Sequence, residues 1–404
     1  MKILFTHRVY PGQFRNLLRA LALNPQHQAA FIPYQMHEEP LPAIRVERYQ
    51  PSRSAHKETH HYLQSVENNV LFGQAAWRSA MRLKAEGFYP DVIFGHSGWG
   101  PTLYLQDVFP KAALLCYFEW FYRADGSSHG FHPDIPVLPD HRAQIRTKNA
   151  PILMDLVAAK GGVTPTAWQK QQFPVEFQDK IQVIHDGVDE QYFSPRPGGL
   201  YLPRIGLDLR TKKQIVTYVA TGMEPMRGFP EFMQAVSLVQ KRCPQCEVVI
   251  VGEDRTEYSN PLPDGKTYRQ AMLEKYPYDL RRLHFTGRLS LEEHRQVLQA
   301  SSVHVYLTFP YILSWSMLEA MSCGCLVLGS ATPPVQEVLR HGENGLLCDF
   351  FAVNRLSEMM AEALTEPDLF LAVRKQARET VLQKYAVKLM LQKQWEFVRQ
   401  GGRC

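Results

Sequence analysis

Cysteine is scarce in this chain of 404 residues: there are seven, an odd number, and a disulfide framework is not expected in a chain of this length. The close pairs Cys243/Cys246 and Cys323/Cys325 lack the matched spacing and histidines that a zinc site uses, so no metal is expected. No stretch approaches the ~20 apolar residues of a membrane span. Ile3-Leu4-Phe5 is too short for the apolar region of a signal peptide, so a cytoplasmic location is expected. Neither charge sign prevails, since Lys+Arg 45 against Asp+Glu 40 leaves a net +5. That excess suits anionic substrates or peripheral contact with the inner face of a membrane. Without a basic run or a nucleic-acid motif it argues against nucleic acid. Gly12 stands alone after the first strand and opens no G-x-G-x-x-G, so no nicotinamide cofactor is implied.

What is present is a large apolar content, 45% of the chain, in a length that favours two domains over one. The segment from Val303 to Phe350 organises the rest. Val303–Leu307 reads as a buried strand, Phe309-Pro310 breaks it, and Ser314 and Ser316 are caps for a helix carrying Met317, Leu318 and Met321 that ends near Gly324. Cys325–Gly329 reads as a second buried strand. A capped helix start beyond a strand's carboxyl end offers free N–H groups and the positive end of a dipole to phosphate oxygens. Glu319 lies about one turn inside, where a carboxylate can accept from a ribose diol. An ordinary capped helix with a solvated glutamate fits the spacing equally well.

Strand and helix patterns alternate along both halves, which predicts parallel sheets covered on both faces. The first half opens with strand Lys2–Thr6, the turn Pro11-Gly12-Gln13 and a helix bearing Phe14, Leu17, Leu18 and Leu21. Tyr62–Leu83 and Arg142–Ala159 read as helices, and Asp91–Phe94 as a strand ending in Gly95-His96-Ser97-Gly98. His96 therefore stands where such sheets bind ligands, although a turn histidine would look the same. Glu119 and Arg123 follow the strand Leu114–Phe118; Glu119 is placed either to orient a hydroxyl or to pair with Arg123. His60-His61 reads as part of a solvated loop rather than a ligand pair, because neighbours in sequence point apart. Ser194–Lys213, with three prolines and three glycines, reads as a linker. Ile215–Ala220 restarts the pattern, followed by Gly222-Met-Glu-Pro-Met-Arg227-Gly228, where a guanidinium after a parallel strand suits two phosphate oxygens.

Leu318-Glu319-Ala320-Met321, Ser322–Gly324, Leu326-Val327-Leu328, Glu337 and Asn344-Gly345-Leu346-Leu347 together resemble the donor-binding signature of the family 4 retaining glycosyltransferases. The resemblance implies the GT-B fold: two Rossmann-like, doubly wound parallel-sheet domains facing a cleft. Residues 1–197 would be the acceptor-side domain, 198–214 the linker and 215–384 the nucleotide-sugar donor domain, with 385–404 a helix returning to the first. It further implies that Glu319 holds the donor ribose and that amides at Trp315 and Ser316, beside Ser314, hold the diphosphate. Gly12, Arg288 and Leu289 would lie against the donor, His96 against its sugar, and Arg227 against the leaving phosphates. The expected substrates are a UDP- or GDP-sugar and a carbohydrate, lipid-linked or other hydroxyl acceptor. No cofactor is implied and, in the absence of a D-x-D motif, no metal.

The stretches Asp91–Phe94, Leu114–Phe118 and Glu119–Gly126 also look like a subgroup associated with extracellular polysaccharide assembly. Two positions depart from the family pattern. Tyr311 stands where a second glutamate is common, and Gly222 where an arginine would complete the phosphate clamp; Arg288 and Arg8 are the candidates to replace it. These departures motivate a rival of a different class, a non-catalytic nucleotide-sugar binder with a decayed donor site. A nucleotide-sugar epimerase of the same fold is disfavoured because its carboxylate and histidine pattern is not apparent.

Overall fold

The computed structural model describes residues 1–401, and the chain divides into two compact units, Met1–Gly187 with the helix Val387–Arg399, and Val188–Ala386. The first unit is built on strands β1 (Lys2–Tyr10), β2 (Gln28–Met36), β3 (Ile44–Val46), β4 (Val92–His96), β5 (Ala113–Tyr117), β6 (Gly161–Thr164) and β7 (Ile181–Val183). Their order is β3-β2-β1-β4-β5-β6-β7 and every pairing is parallel. Buried on both faces, the central strands are nearly continuous apolar runs, as parallel sheets require. The order turns back at β1/β4, with Phe5 opposite Phe94 and Thr6 opposite Gly95. Phe397 and Val398 of the last helix enter the same core as Ile3, Phe5, Leu17 and Leu18.

The second unit holds β8 (Leu200–Leu202) and β9 (Leu207–Leu209), then β10 (Ile215–Gly222), β11 (Glu247–Glu253), β12 (Leu283–Gly287), β13 (Val303–Tyr306), β14 (Leu326–Ser330) and β15 (Leu346–Cys348). The six-stranded sheet runs β12-β11-β10-β13-β14-β15, all parallel, and turns back at β10/β13. Both units are thus doubly wound α/β sheets whose loops at the carboxyl ends of the strands are the ligand-binding edge.

Several segments differ from the sequence reading. The stretch read as a linker is an antiparallel hairpin, β8 with β9. Leu200, Leu202 and Leu209 are buried there with Ile215, Val249 and Val297, so the alternating leucines override the Pro and Gly content. Arg142–Ala159 is two helices, Pro139–Lys148 and Ala150–Ala158, because Asn149 turns its side chain to the main chain of Tyr122 and Pro151 starts a new helix. No helix among the described residues is long and apolar enough to cross a membrane.

Candidate active site

In the second unit, the helix Trp315–Ser322 begins just beyond β13, with Ser314 as its extended N-cap residue and Ser314 Oγ accepting from the Ser316 N–H at 3.4 Å. Ser314 donates its own N–H to Tyr306 Oη at 2.7 Å, which fixes the entry of the chain into the helix. Arg227 is buried on the neighbouring loop after β10, and its guanidinium is turned inward. Its Nη1 donates to Thr308 Oγ1 (2.9 Å), to the Ile312 carbonyl (3.1 Å) and, at 3.4 Å, to Tyr306 Oη. Tyr306 therefore couples the cation to the capped helix start. Glu319, one turn into the helix, meets His294 Nε2 at 2.9 Å. Arg288 is exposed and its carbonyl accepts from Arg204, while Leu289 packs against the hairpin core.

The two departures from the family pattern have physical substance. A Cβ at Gly222 would stand 2.5 Å from the Arg255 carbonyl oxygen, so no side chain fits there. Tyr311 packs edge-on against Tyr258 (5.4 Å between ring centres), and Arg227 lies 5.6 Å from the Tyr258 ring. Glu224 holds that wall: its Oε2 accepts the N–H groups of Glu257, Tyr258 and Ser259 at 3.1, 2.9 and 2.7 Å.

In the first unit, the switch point between β1 and β4 carries two buried histidines. Since Thr6 pairs with Gly95, the next residues, His7 and His96, emerge side by side, with ring centres 4.9 Å apart and nearly perpendicular. His96 Nδ1 lies 2.8 Å from the Ser97 carbonyl; a carbonyl only accepts, so this nitrogen carries the hydrogen. His96 Nε2 faces Glu119 Oε2 at 3.6 Å, beyond hydrogen-bond length. Glu119 is fixed by Gln13 Nε2 (3.1 Å). His7 is engaged through Nδ1 by the main chain of Val9. Burial, followed by the nearby His96, pushes the His7 imidazole well below its ordinary range, so the ring is neutral near pH 7. Trp99 stacks on His96 (4.5 Å) and stands edge-on to His7 (5.1 Å).

Gly12 belongs to this group for a steric reason: its φ is +53°, and a Cβ there would lie 2.6 Å from His7 Nδ1. Arg123 does not pair with Glu119; it donates to the carbonyls of Gln172 (2.8 Å) and Gln171 (3.2 Å). Arg8 is exposed and lies 5.4 Å from the Phe72 ring. Among the described residues no group of three or more His, Cys, Asp or Glu could hold a metal ion.

Sequence reasoning passed over His7, Trp99, Glu224 and His294. For His7 a signal existed, because it follows the apolar run of β1 just as His96 follows that of β4. Glu224 and His294 act through partners 33 to 35 and 25 residues away, respectively, which no local pattern reveals.

Residues 25–193 match the family model described as "Glycosyl transferase family 4 group", and residues 204–380 match "Glycosyl transferases group 1". Over 205 residues the chain is 26% identical to the N-acetyl-alpha-D-glucosaminyl L-malate synthase of Bacillus anthracis. That match takes in 51% of this chain and 50% of the relative, so it spans about half the length of that curated protein. Among solved structures, Anabaena Alr3699/HepE in complex with UDP-glucose is similar with a TM-score of 0.71 at 14% identity, covering 99% of this chain and 100% of the other. The sucrose-phosphate synthase of Thermosynechococcus elongatus gives 0.72 at 17% identity, with 99% and 98% covered. A glycosyltransferase from Rickettsia africae ESF-5 gives 0.68 at 16%, also with 99% and 98% covered. At such identities the likeness is one of fold.

Proposed function

The chain belongs to the family 4 glycosyltransferases, with the GT-B fold, and from that premise we propose that it moves a sugar from a nucleotide diphosphate sugar to a hydroxyl acceptor with retention of anomeric configuration. The observation that carries this reading is the capped helix start at Ser314, coupled through Tyr306 to Arg227 and followed one turn later by Glu319. Amide N–H groups and a guanidinium suit a diphosphate, and a carboxylate at that depth suits a ribose diol. The leaving diphosphate takes the acceptor proton on the face where the new bond forms. The protein then contributes position and charge stabilisation, with no metal required. UDP or GDP is the donor base we favour, since the Anabaena protein of similar fold was solved with UDP-glucose. A role in polysaccharide or glycoconjugate synthesis at the cytoplasmic face of a membrane fits the resemblance of the first half.

The test is a thermal-shift screen of the purified chain against UDP, GDP, ADP and dTDP and their common sugars, with chelator present. Stability should rise with the logarithm of concentration for one base, and the product made from that donor should keep the donor's anomeric configuration by NMR. Absence of any shift, or an inverted product, would sink the proposal.

A second reading, a binder without turnover, is favoured by one specific observation: the Arg255 carbonyl fills the place where a side chain at Gly222 would stand. Donor binding with no release of nucleotide in the presence of acceptors would select it.

A further inference from the structure

We propose that His294 is a positioning residue of the donor site, and that by fixing the Glu319 carboxylate it makes the site select a ribonucleoside diphosphate over its 2′-deoxy counterpart. The inference rests on the glycosyl-transfer reading and adds to it a residue outside the family motif and the pentose that this residue selects.

A glutamate side chain turns about several single bonds, so its carboxylate takes up many orientations unless something holds it. Here the hold on Glu319 comes from a different helix of the second unit. The helix Leu291–Gln299 is entered through a capping box between Ser290 and Glu293, which fixes where its first turn begins. His294 follows directly, and its Nε2 lies 2.9 Å from Glu319 Oε2. A carboxylate only accepts, so this nitrogen carries the hydrogen. The imidazole is itself held, since it meets the ring of the buried Phe193 edge-on with 5.9 Å between ring centres. Both members of the pair keep some exposure, 13% for His294 and 15% for Glu319. Among the described residues Glu319 Oε1 has no hydrogen-bonding partner, so the carboxylate is fixed at one oxygen and open at the other.

That arrangement decides between two pentoses. A carboxylate oxygen has two lone pairs, so after the bond from His294 one remains on Oε2 and both remain on Oε1. The 2′ and 3′ hydroxyls of a ribose are neighbouring O–H donors, and each can give its hydrogen to one of these oxygens. A 2′-deoxyribose brings one donor and leaves a charged acceptor unpaired, which a site built for two donors penalises. A carboxylate free to turn would be penalised less, because it could follow the single hydroxyl and give its other oxygen to water. The preference for ribose therefore depends on His294 as well as on Glu319. It also removes dTDP-sugars, whose pentose lacks the 2′ hydroxyl, from the candidate donors.

The experiment is isothermal titration of the full chain with UDP, GDP and ADP and the 2′-deoxy form of each, in the wild type, His294→Phe, Glu319→Ala and the double variant. For the base that binds, the wild type should prefer the ribonucleotide by at least about tenfold. His294→Phe keeps a ring beside Phe193 and removes the donor. It should shrink the preference to about threefold or less by weakening the ribonucleotide, with the deoxynucleotide changed by no more than about twofold. In the Glu319→Ala background the same substitution should change neither, since His294 acts through the carboxylate. A role in packing alone would instead weaken both nucleotides and add to the effect of Glu319→Ala. His294→Gln, which retains an N–H donor, should restore most of the preference. If His294→Phe does not fold, His294→Leu takes its place. Equal binding of the two forms by the wild type, a preference unchanged in the folded His294 variant, an effect that persists without Glu319, or binding of dTDP alone would each overturn the inference and leave the glycosyl-transfer reading standing. Binding of no nucleotide by the wild type would remove that reading, and the inference with it.

Discussion

His294 and Glu319 meet at 2.9 Å, Nε2 to Oε2, joining the helix Leu291–Gln299 to the helix that starts at Ser314, and both side chains remain partly exposed. The contact holds the Glu319 carboxylate in one orientation without committing its second oxygen to that histidine. Glu319→Ala should then weaken nucleotide-sugar binding at least tenfold. Because a partly buried hydrogen bond contributes only about 1 kcal/mol, the melting temperature should fall by no more than about 4 °C. Isothermal titration with the matched donor and a melting curve check the two halves. A stability loss as large as a core truncation would show that Glu319 is structural.

Arg227 gives a contrasting case, because its Nη1 serves the Thr308 hydroxyl and the Ile312 carbonyl inside the protein. Removing the whole side chain in Arg227→Ala leaves those groups without a donor and should cost about 3 kcal/mol, so its loss of activity would be uninformative by itself. Arg227→Lys keeps a cation and a donor without the planar fork. It should fold normally, yet lose about a hundredfold in kcat, since the charge would no longer be fixed beside the leaving phosphates. Unchanged turnover in a folded Arg227→Lys enzyme would remove Arg227 from the chemistry.

The fold was legible wherever period and punctuation agreed. Val303–Leu307, the serine cap at Ser314 and the strand after Gly324 gave a strand, helix and strand that the structure reproduces within a residue or two. β2, by contrast, carries Pro33 in mid-strand and no polar alternation. It is placed by eight paired positions along β1, a tertiary cause invisible to local reading. The hairpin of β8 and β9 was hidden in the same way, its two leucine runs being too short to outweigh the flanking prolines. In the candidate site, motif residues such as Glu319 and His96 could be read singly. The inward turn of Arg227 and the pairing of His7 with His96 depend on strand register, which one sequence does not display.

Gly12 and His7 bear on the first unit's site together. With φ at +53° and the His7 ring 2.6 Å from any added Cβ, Gly12→Ala both strains the backbone and pushes the imidazole away. Chemical denaturation should show a loss of about 1–3 kcal/mol. An unchanged unfolding midpoint would mean that the loop relaxes freely and that His7 is not fixed by Gly12.

Asp155 anchors the loop that follows His96. Buried on the helix Ala150–Ala158, it accepts from Ser97 Oγ and Thr102 Oγ1, each at 2.7 Å, and from the Gly98 main chain. Burial raises its carboxyl to about 6, against the opposing pull of those hydrogen bonds and of His96. In the unfolded chain the same group titrates near 4, so between these values the native state holds the proton more tightly. The consequence is a stability contribution that is fully present below about pH 4 and is lost as pH rises through about 6, amounting to about 3 kcal/mol for a shift of this size. Asp155→Asn cannot ionise and keeps the shape, so its unfolding free energy, measured against the wild type across pH 4–7, should fall less steeply. Titrations common to both proteins and remote from Asp155 cancel in that difference. Parallel curves would show that Asp155 carries the same proton in both states, and would leave the Ser97–Thr102 loop held by packing alone.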